Sequence, residues 1–147
     1  MTIKQVAEMY FEIQEYRKTV KEGDTPSVEM AEEAIQELQD WLRSKNSMHY
    51  HVFRECVHSL RTHNELLVVT SPLHDDKDIT EYLNCLKENG FEKFAFASGM
   101  SGAISDAWAY QKTGMCQLIG FGEFVSMVYD DCDESYVTRP ALIFKIL

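Results

Sequence analysis

The chain has 147 residues, of which 45% are hydrophobic and 26% charged, with a formal net charge of -10. This composition fits one folded globular domain, able to bury roughly 70% of its unfolded surface, and excludes a disordered chain. The acidity argues against direct binding to nucleic-acid backbones or anionic membrane surfaces, which draw on Lys and Arg.

The charge is uneven: residues 1–64 carry 11 acids and 8 bases, residues 65–147 carry 13 and 6. No apolar run approaches the ~20 residues needed to span a bilayer. Met1-Thr2-Ile3-Lys4 opens an amphipathic pattern, not the basic-then-apolar start of a signal peptide. A cytoplasmic location is expected, with Cys56, Cys85, Cys116 and Cys132 reduced. Their spacing contains no C-x-x-C pair and so excludes zinc-ribbon and thioredoxin-like designs.

In chain order, Ile3, Val6, Tyr10, Ile13 and Val20 mark an amphipathic helix over 3–21, ended by Gly23-Asp24. Thr25 as cap and Pro26 as first residue open a second helix to about Lys45. Its seam is Val28, Ala31, Ile35, Leu38 and Leu42, and the two helices form an antiparallel hairpin. Phe53, Cys56, Val57 and Leu60 predict a third helix over 47–61. Residues 65–70 read as a short strand or as a tail of that helix. Asp75 or Asp76 caps a helix with the stripe Ile79, Tyr82, Leu83 and Leu86, left at Asn89-Gly90.

Phe94-Ala95-Phe96-Ala97 is apolar on both faces, as a central strand should be. Ser98 to Gly102 is a turn with Ser101 as helix cap. The next helix runs to about Thr113 and is expected to bury Ala103, Ile104, Ala107, Trp108 and Tyr110. Met115 to Phe121 is a strand, extended through Phe124 to Tyr129 past a bulge at Gly120 or Gly122. Asp130 to Thr138 reads as a polar loop, and Pro140 opens a final edge strand, 141–147. The expected fold is α+β: a helical part (1–63) packed on a small mixed β-α-β-α-β-β sheet (64–147) in one domain. The alternating stretch suggests mainly parallel pairing.

Candidate sites are few. Ser98, Gly99, Ser101 and Gly102 lie where a strand passes into a helix, a place suited to a phosphate or carboxylate. The plainer reading is a capped helix entry, because neither a dinucleotide fingerprint nor a P-loop is present. Asp130, Asp131, Asp133 and Glu134 form the densest charge run, either a partner-binding surface or a solvated tip. His51, Glu55 and His58 share a helix face, but without H-E-x-x-H spacing no metal site is assigned; His51 and His58 are only weak candidates. Ser98, Ser101 and Cys116 are conceivable nucleophiles and His74 a conceivable base. No nucleophile elbow accompanies them, so no catalytic residue and no cofactor are assigned. Trp41 and Trp108 read as core or helix-interface residues.

Residues 83–98 (LNCLKENGFEKFAFAS), the helix from Ser101-Gly102-Ala103 to Ala107-Trp108-Ala109-Tyr110-Gln111-Lys112, and Pro140-Ala141-Leu142-Ile143-Phe144 carry a resemblance over residues 80–147. They resemble small uncharacterised proteins, a domain of unknown function, of Gram-positive bacteria and their mobile elements. The resemblance implies no known activity and favours an accessory role.

The expected function is a non-enzymatic, acidic protein-binding accessory or regulatory protein, with the hairpin as a surface for a homodimer. The alternatives are a small-ligand module or small enzyme using residues 98–102, and a nucleic-acid mimic that occupies a basic cleft.

Overall fold

The computed structural model describes residues 1–20, 25–97, 102–130 and 133–147, without the side chains of 25–28 and 130. Helix α1 (Ile3–Thr19) opens on a capping box: the Thr2 hydroxyl accepts from the Gln5 N–H, and the Gln5 side chain accepts from the Thr2 N–H. Helix α2 (Thr25–Arg43) buries Ala31, Leu38 and Leu42, part of the expected seam. The expected exit at Gly23-Asp24 lies outside the described residues. Helix α3 (Ser47–Arg61) is capped by Asn46 and buries Val52, Phe53, Cys56 and Val57. Helix α1 touches α2 and packs more extensively on α3, where Tyr10 meets Phe53 edge-on at 5.3 Å.

The ambiguous segment after α3 is a strand, β1 (Leu67–Val69), buried throughout. Helix α4 (Asp76–Glu88) is capped by Asp75, which accepts from the Lys77 and Asp78 N–H groups. It buries the expected stripe and leaves through Gly90 at φ +80. Strand β2 (Lys93–Phe96), helix α5 (Ala103–Gln111), strand β3 (Cys116–Asp130) and strand β4 (Asp133–Ile146) complete the chain. The sheet order is β1-β2-β4-β3. The α+β expectation with a mixed β-α-β-α-β-β sheet therefore holds.

Four details differ from the sequence reading. Among the described residues only β1 and β2 are parallel, because β4 runs back along β3 and inserts between β2 and β3. Within the loop expected over 130–138, Asp130 and residues 133–138 are strand and 131–132 lie outside the described residues: residues 125–130 pair with 133–138, carrying on the register set by Phe121–Leu142. Pairing of main chains there needs no apolar alternation, because residues 133–136 are exposed. The last strand accordingly starts at Asp133, not at Pro140, and is internal rather than an edge. Pro140 sits where only β3 flanks β4, so its missing N–H removes no bond to β2. Finally, α5 buries Ala107 and Tyr110 but leaves Ile104 and Trp108 exposed, and its N-cap is Gly102 at φ +109, not Ser101. None of the described residues covers that side of the helix.

Alternation along the strands gives the sheet two apolar faces. Leu67, Val69, Phe94, Phe96, Cys116 and Phe144 join the helices in the main core. There Phe94 stacks on Phe144 at 5.1 Å and Phe96 meets Tyr110 edge-on at 5.2 Å. Val68, Ala95 and Ala141 lie on the other face, packed with Ile143 and Phe124 and, among the described residues, with no helical one. Phe124 comes from the far part of the β3–β4 hairpin, which folds back over this face.

Three features hold that fold-back. The register shifts between Leu118 and Gly120, with Gly120 at φ +152, and a bulge of this kind bends a strand. The Asn64 side chain, between α3 and β1, donates to the Val125 carbonyl at 2.9 Å and accepts from its N–H at 2.7 Å. The His63 ring meets Tyr136 at 5.1 Å. At the opposite edge, the buried Ser59 hydroxyl accepts from the Val68 N–H at 3.0 Å and donates to the Glu55 carbonyl at 2.8 Å, which covers β1.

Gly122 has a packing role. A Cβ there would lie 2.8 Å from Cγ1 and Cδ1 of Ile143. Gly122→Ala should destabilise the chain by about 1–3 kcal/mol, as overpacking does. Urea unfolding measures this, and wild-type stability in the variant would refute the close approach.

Candidate functional site

Helix α5 has apolar residues on two sides. Ala107 and Tyr110 turn inward, and the Tyr110 hydroxyl accepts from the Leu73 N–H at 2.9 Å. Ile104 and Trp108, one turn apart, face outward at 86% and 63% exposure. Across from them stands Phe121 of β3, 86% exposed. Between helix and strands runs a groove of about 550 Å³, lined chiefly by Phe96, Ile104, Trp108, Leu118, Phe121 and Leu142. Clustered apolar side chains of this size mark interaction surfaces, whereas scattered ones do not. The Gln111 side chain accepts from the Leu118 N–H at 2.9 Å and ties the end of α5 to β3. Glu123, two residues beyond Phe121 and hence on the same face of β3, is exposed.

Sequence reasoning missed this groove. The available signal was the width of the apolar arc on α5. Ala103, Ile104, Ala107, Trp108 and Tyr110 take up more of a nine-residue helix than one core contact can cover.

A second constellation lies between α3 and α4. The Glu55 carboxylate accepts a 2.7 Å hydrogen bond from the fully buried Tyr82 hydroxyl. His51 Nε2 lies 3.6 Å from Glu55, is itself buried and has no hydrogen-bond partner among the described residues. Burial raises the Glu55 carboxyl from 4.5 to about 7, although the Tyr82 hydrogen bond opposes the shift. Burial, and then the Arg54 charge, lower the His51 value. Thus the helix face carrying His51 and Glu55 is real, but it turns toward Tyr82. His58 is exposed, and among the described residues no three His, Cys, Asp or Glu side chains are grouped to hold a metal.

The remaining sequence candidates separate. Ser98, Gly99 and Ser101 lie outside the described residues. Gly102 is exposed and caps α5 without a side-chain bond. Asp131 is likewise outside; the Asp130 backbone ends β3, and Asp133 and Glu134 open β4 as exposed residues. Cys116 is buried and its Sγ donates to the Tyr110 carbonyl at 3.4 Å. Burial raises its thiol to about 12, so it stays protonated at neutral pH and is a poor nucleophile. His74 is exposed and stands 3.3 Å from the half-buried Asp106 of α5. Trp41 is half-buried, with the Lys45 ammonium 5.0 Å from its ring centre. No helix of the described residues is long and apolar enough to cross a membrane.

Residues 51–146 match the model of a family described as Domain of unknown function (DUF7698). The chain belongs to this family. The match begins inside α3, so the DUF7698 region contains the whole sheet, the groove and the Glu55–Tyr82 pair. No curated protein and no solved structure matches the chain.

The Glu55 shift has a defined sign. The folded chain keeps a proton that the unfolded chain releases near pH 4.5, so this group favours folding at low pH. Its contribution, about 3 kcal/mol, fades as pH rises through about 7. His51 acts in the opposite sense, because its folded ring resists a proton that the unfolded ring accepts near 6.5. The stability of wild type minus that of Glu55→Gln should therefore fall by about 3 kcal/mol between about pH 4 and pH 8. A difference independent of pH, in urea titrations, would contradict the assignment.

Proposed function

We propose that this chain is a non-enzymatic, acidic protein-binding accessory or regulatory protein, whose docking surface is the groove between α5 and β3–β4. One observation carries the reading. Ile104, Trp108 and Phe121 converge on one concave surface while being among the most exposed apolar side chains of the molecule. Aromatic anchors in such a pocket supply most of the binding energy at protein interfaces. Folding provides no reason to keep them on the surface, because Ala107 and Tyr110 already seat α5 on the sheet.

The chemistry elsewhere agrees. Cys56, Cys85 and Cys116 have buried thiols raised to about 12, 11 and 12. A surplus of ten negative charges steers the chain toward basic partners, with Asp133 and Glu134 exposed at the start of β4. We place the protein in the cytoplasm, and the resemblance of residues 80–147 supports a Gram-positive host and its mobile elements as the setting.

The test is photo-crosslinking in the host from a probe residue at position 104, followed by purification of the crosslinked partner. The purified pair should form a stoichiometric complex. Trp108→Glu and Phe121→Glu should each weaken it at least ~10-fold, as loss of a central anchor does. Their unfolding transitions should stay within about 0.5 kcal/mol of wild type, because both side chains are exposed. Undiminished binding by both variants would overturn the reading.

A further inference from the structure

Strand β3 is an outer strand of the sheet, at the edge opposite β1. Outer strands present unpaired N–H and C=O groups, and folded proteins blunt them. Here the blunting is done at two points by side-chain amides. Gln111 takes the Leu118 N–H, and Asn64 takes both the N–H and the carbonyl of Val125.

The Val125 bonds also fix the direction of its neighbours. Both polar groups of Val125 point away from β4. In an antiparallel ladder that direction recurs every second residue. The pairing runs without a register shift from Gly120 to Asp130. The main chains of Phe121 and Glu123 therefore point to the same open side as Val125. Among the described residues, neither has a side-chain or loop hydrogen-bond partner for its main chain. The open window lies between the two amides, and the exposed Phe121 side chain stands inside it.

This window constrains what can fill the groove. An occupant that covers Phe121 removes water from the main-chain groups of Phe121 and Glu123. A buried N–H or carbonyl left without a partner costs about 1–3 kcal/mol. A helix or a compact apolar surface offers no matching row of donors and acceptors, whereas an extended segment does. Alternate side chains of such a segment would point to the groove face of the sheet, toward Trp108 and Ile104. Charge selects among extended segments. Glu123 is the exposed acid in the window, and the chain as a whole carries -10. Two copies of this chain would bring like charge together, so a second copy is disfavoured.

We infer that the groove takes an extended segment of a partner protein, apolar at alternate positions and bearing Lys or Arg. The segment adds to the β3 edge at Phe121–Glu123. The inference rests on the protein-binding reading and specifies its partner.

The probe is a set of synthetic 10-residue peptides of two designs, with equal positive charge and equal apolar content. One alternates apolar residues with Lys and Thr; the other places them at helical spacing. Binding is measured by fluorescence anisotropy to wild type, Trp108→Glu and Glu123→Pro. Proline at position 123 removes the outward N–H, and a thermal melt checks that each variant is folded. A peptide N-methylated on the face expected to pair reports the same bond without altering the protein. The alternating peptide should bind wild type, and each of the three changes should weaken it at least ~10-fold. Preference for the helical peptide, or alternating-peptide binding indifferent to both Glu123→Pro and N-methylation, would overturn strand addition while leaving the groove intact. Binding of either peptide that ignores Trp108→Glu would remove the groove itself, and with it the inference.

Discussion

Strand β2 is buried on both faces, and the rest of the fold answers that constraint. Phe94 and Phe96 point to one side and Ala95 to the other. The helices cover the phenylalanine side. Among the described residues no helical side chain packs in the cluster around Ala95, and its cover comes from the strands themselves. The β3–β4 hairpin supplies it by running well past the sheet, bending at the Gly120 bulge and laying Phe124 over Val68, Ala95 and Ala141. Close approach at Gly122 and the Asn64 bonds to Val125 follow from the same need.

Much of the architecture was legible because hydrophobic period is a local signal. The stripe Ile79, Tyr82, Leu83 and Leu86 identified α4, and Asp75 and Asn89-Gly90 set its ends. Phe94-Ala95-Phe96 announced a strand covered on both faces. The hairpin between Val125 and Thr138 was not legible. Its strands are held by main-chain pairing and, from far away in sequence, by the Asn64 amide and the His63 ring. Its Asp, Glu, Ser and Thr residues have the composition of a loop. Pro140 misled for a related reason: it does mark an open flank, but one that belongs to half of an internal strand.

The groove was illegible in a different way. Trp108 and Ile104 are as apolar as Tyr110, and composition says nothing about which side of a helix is covered. Only the placement of α5 over the sheet separates its exposed apolar residues from its core ones. The pair of Glu55 and Tyr82, on different helices 27 residues apart, likewise emerged only with the tertiary structure. In contrast, the acidic bias was readable from the outset. Structure adds where part of it sits, with Glu123 beside the groove and Asp133 and Glu134 at the start of β4.

The Asn64 clamp bears on the order in which the chain folds. Its partner lies 61 residues away, whereas the α4 and α5 contacts with neighbouring strands close over short loops. Joining distant residues carries a loop-closure entropy that grows with separation, and such contacts form late. The face around Ala95 is therefore covered through contacts that span much of the chain, whereas the groove beside Trp108 has no cover among the described residues.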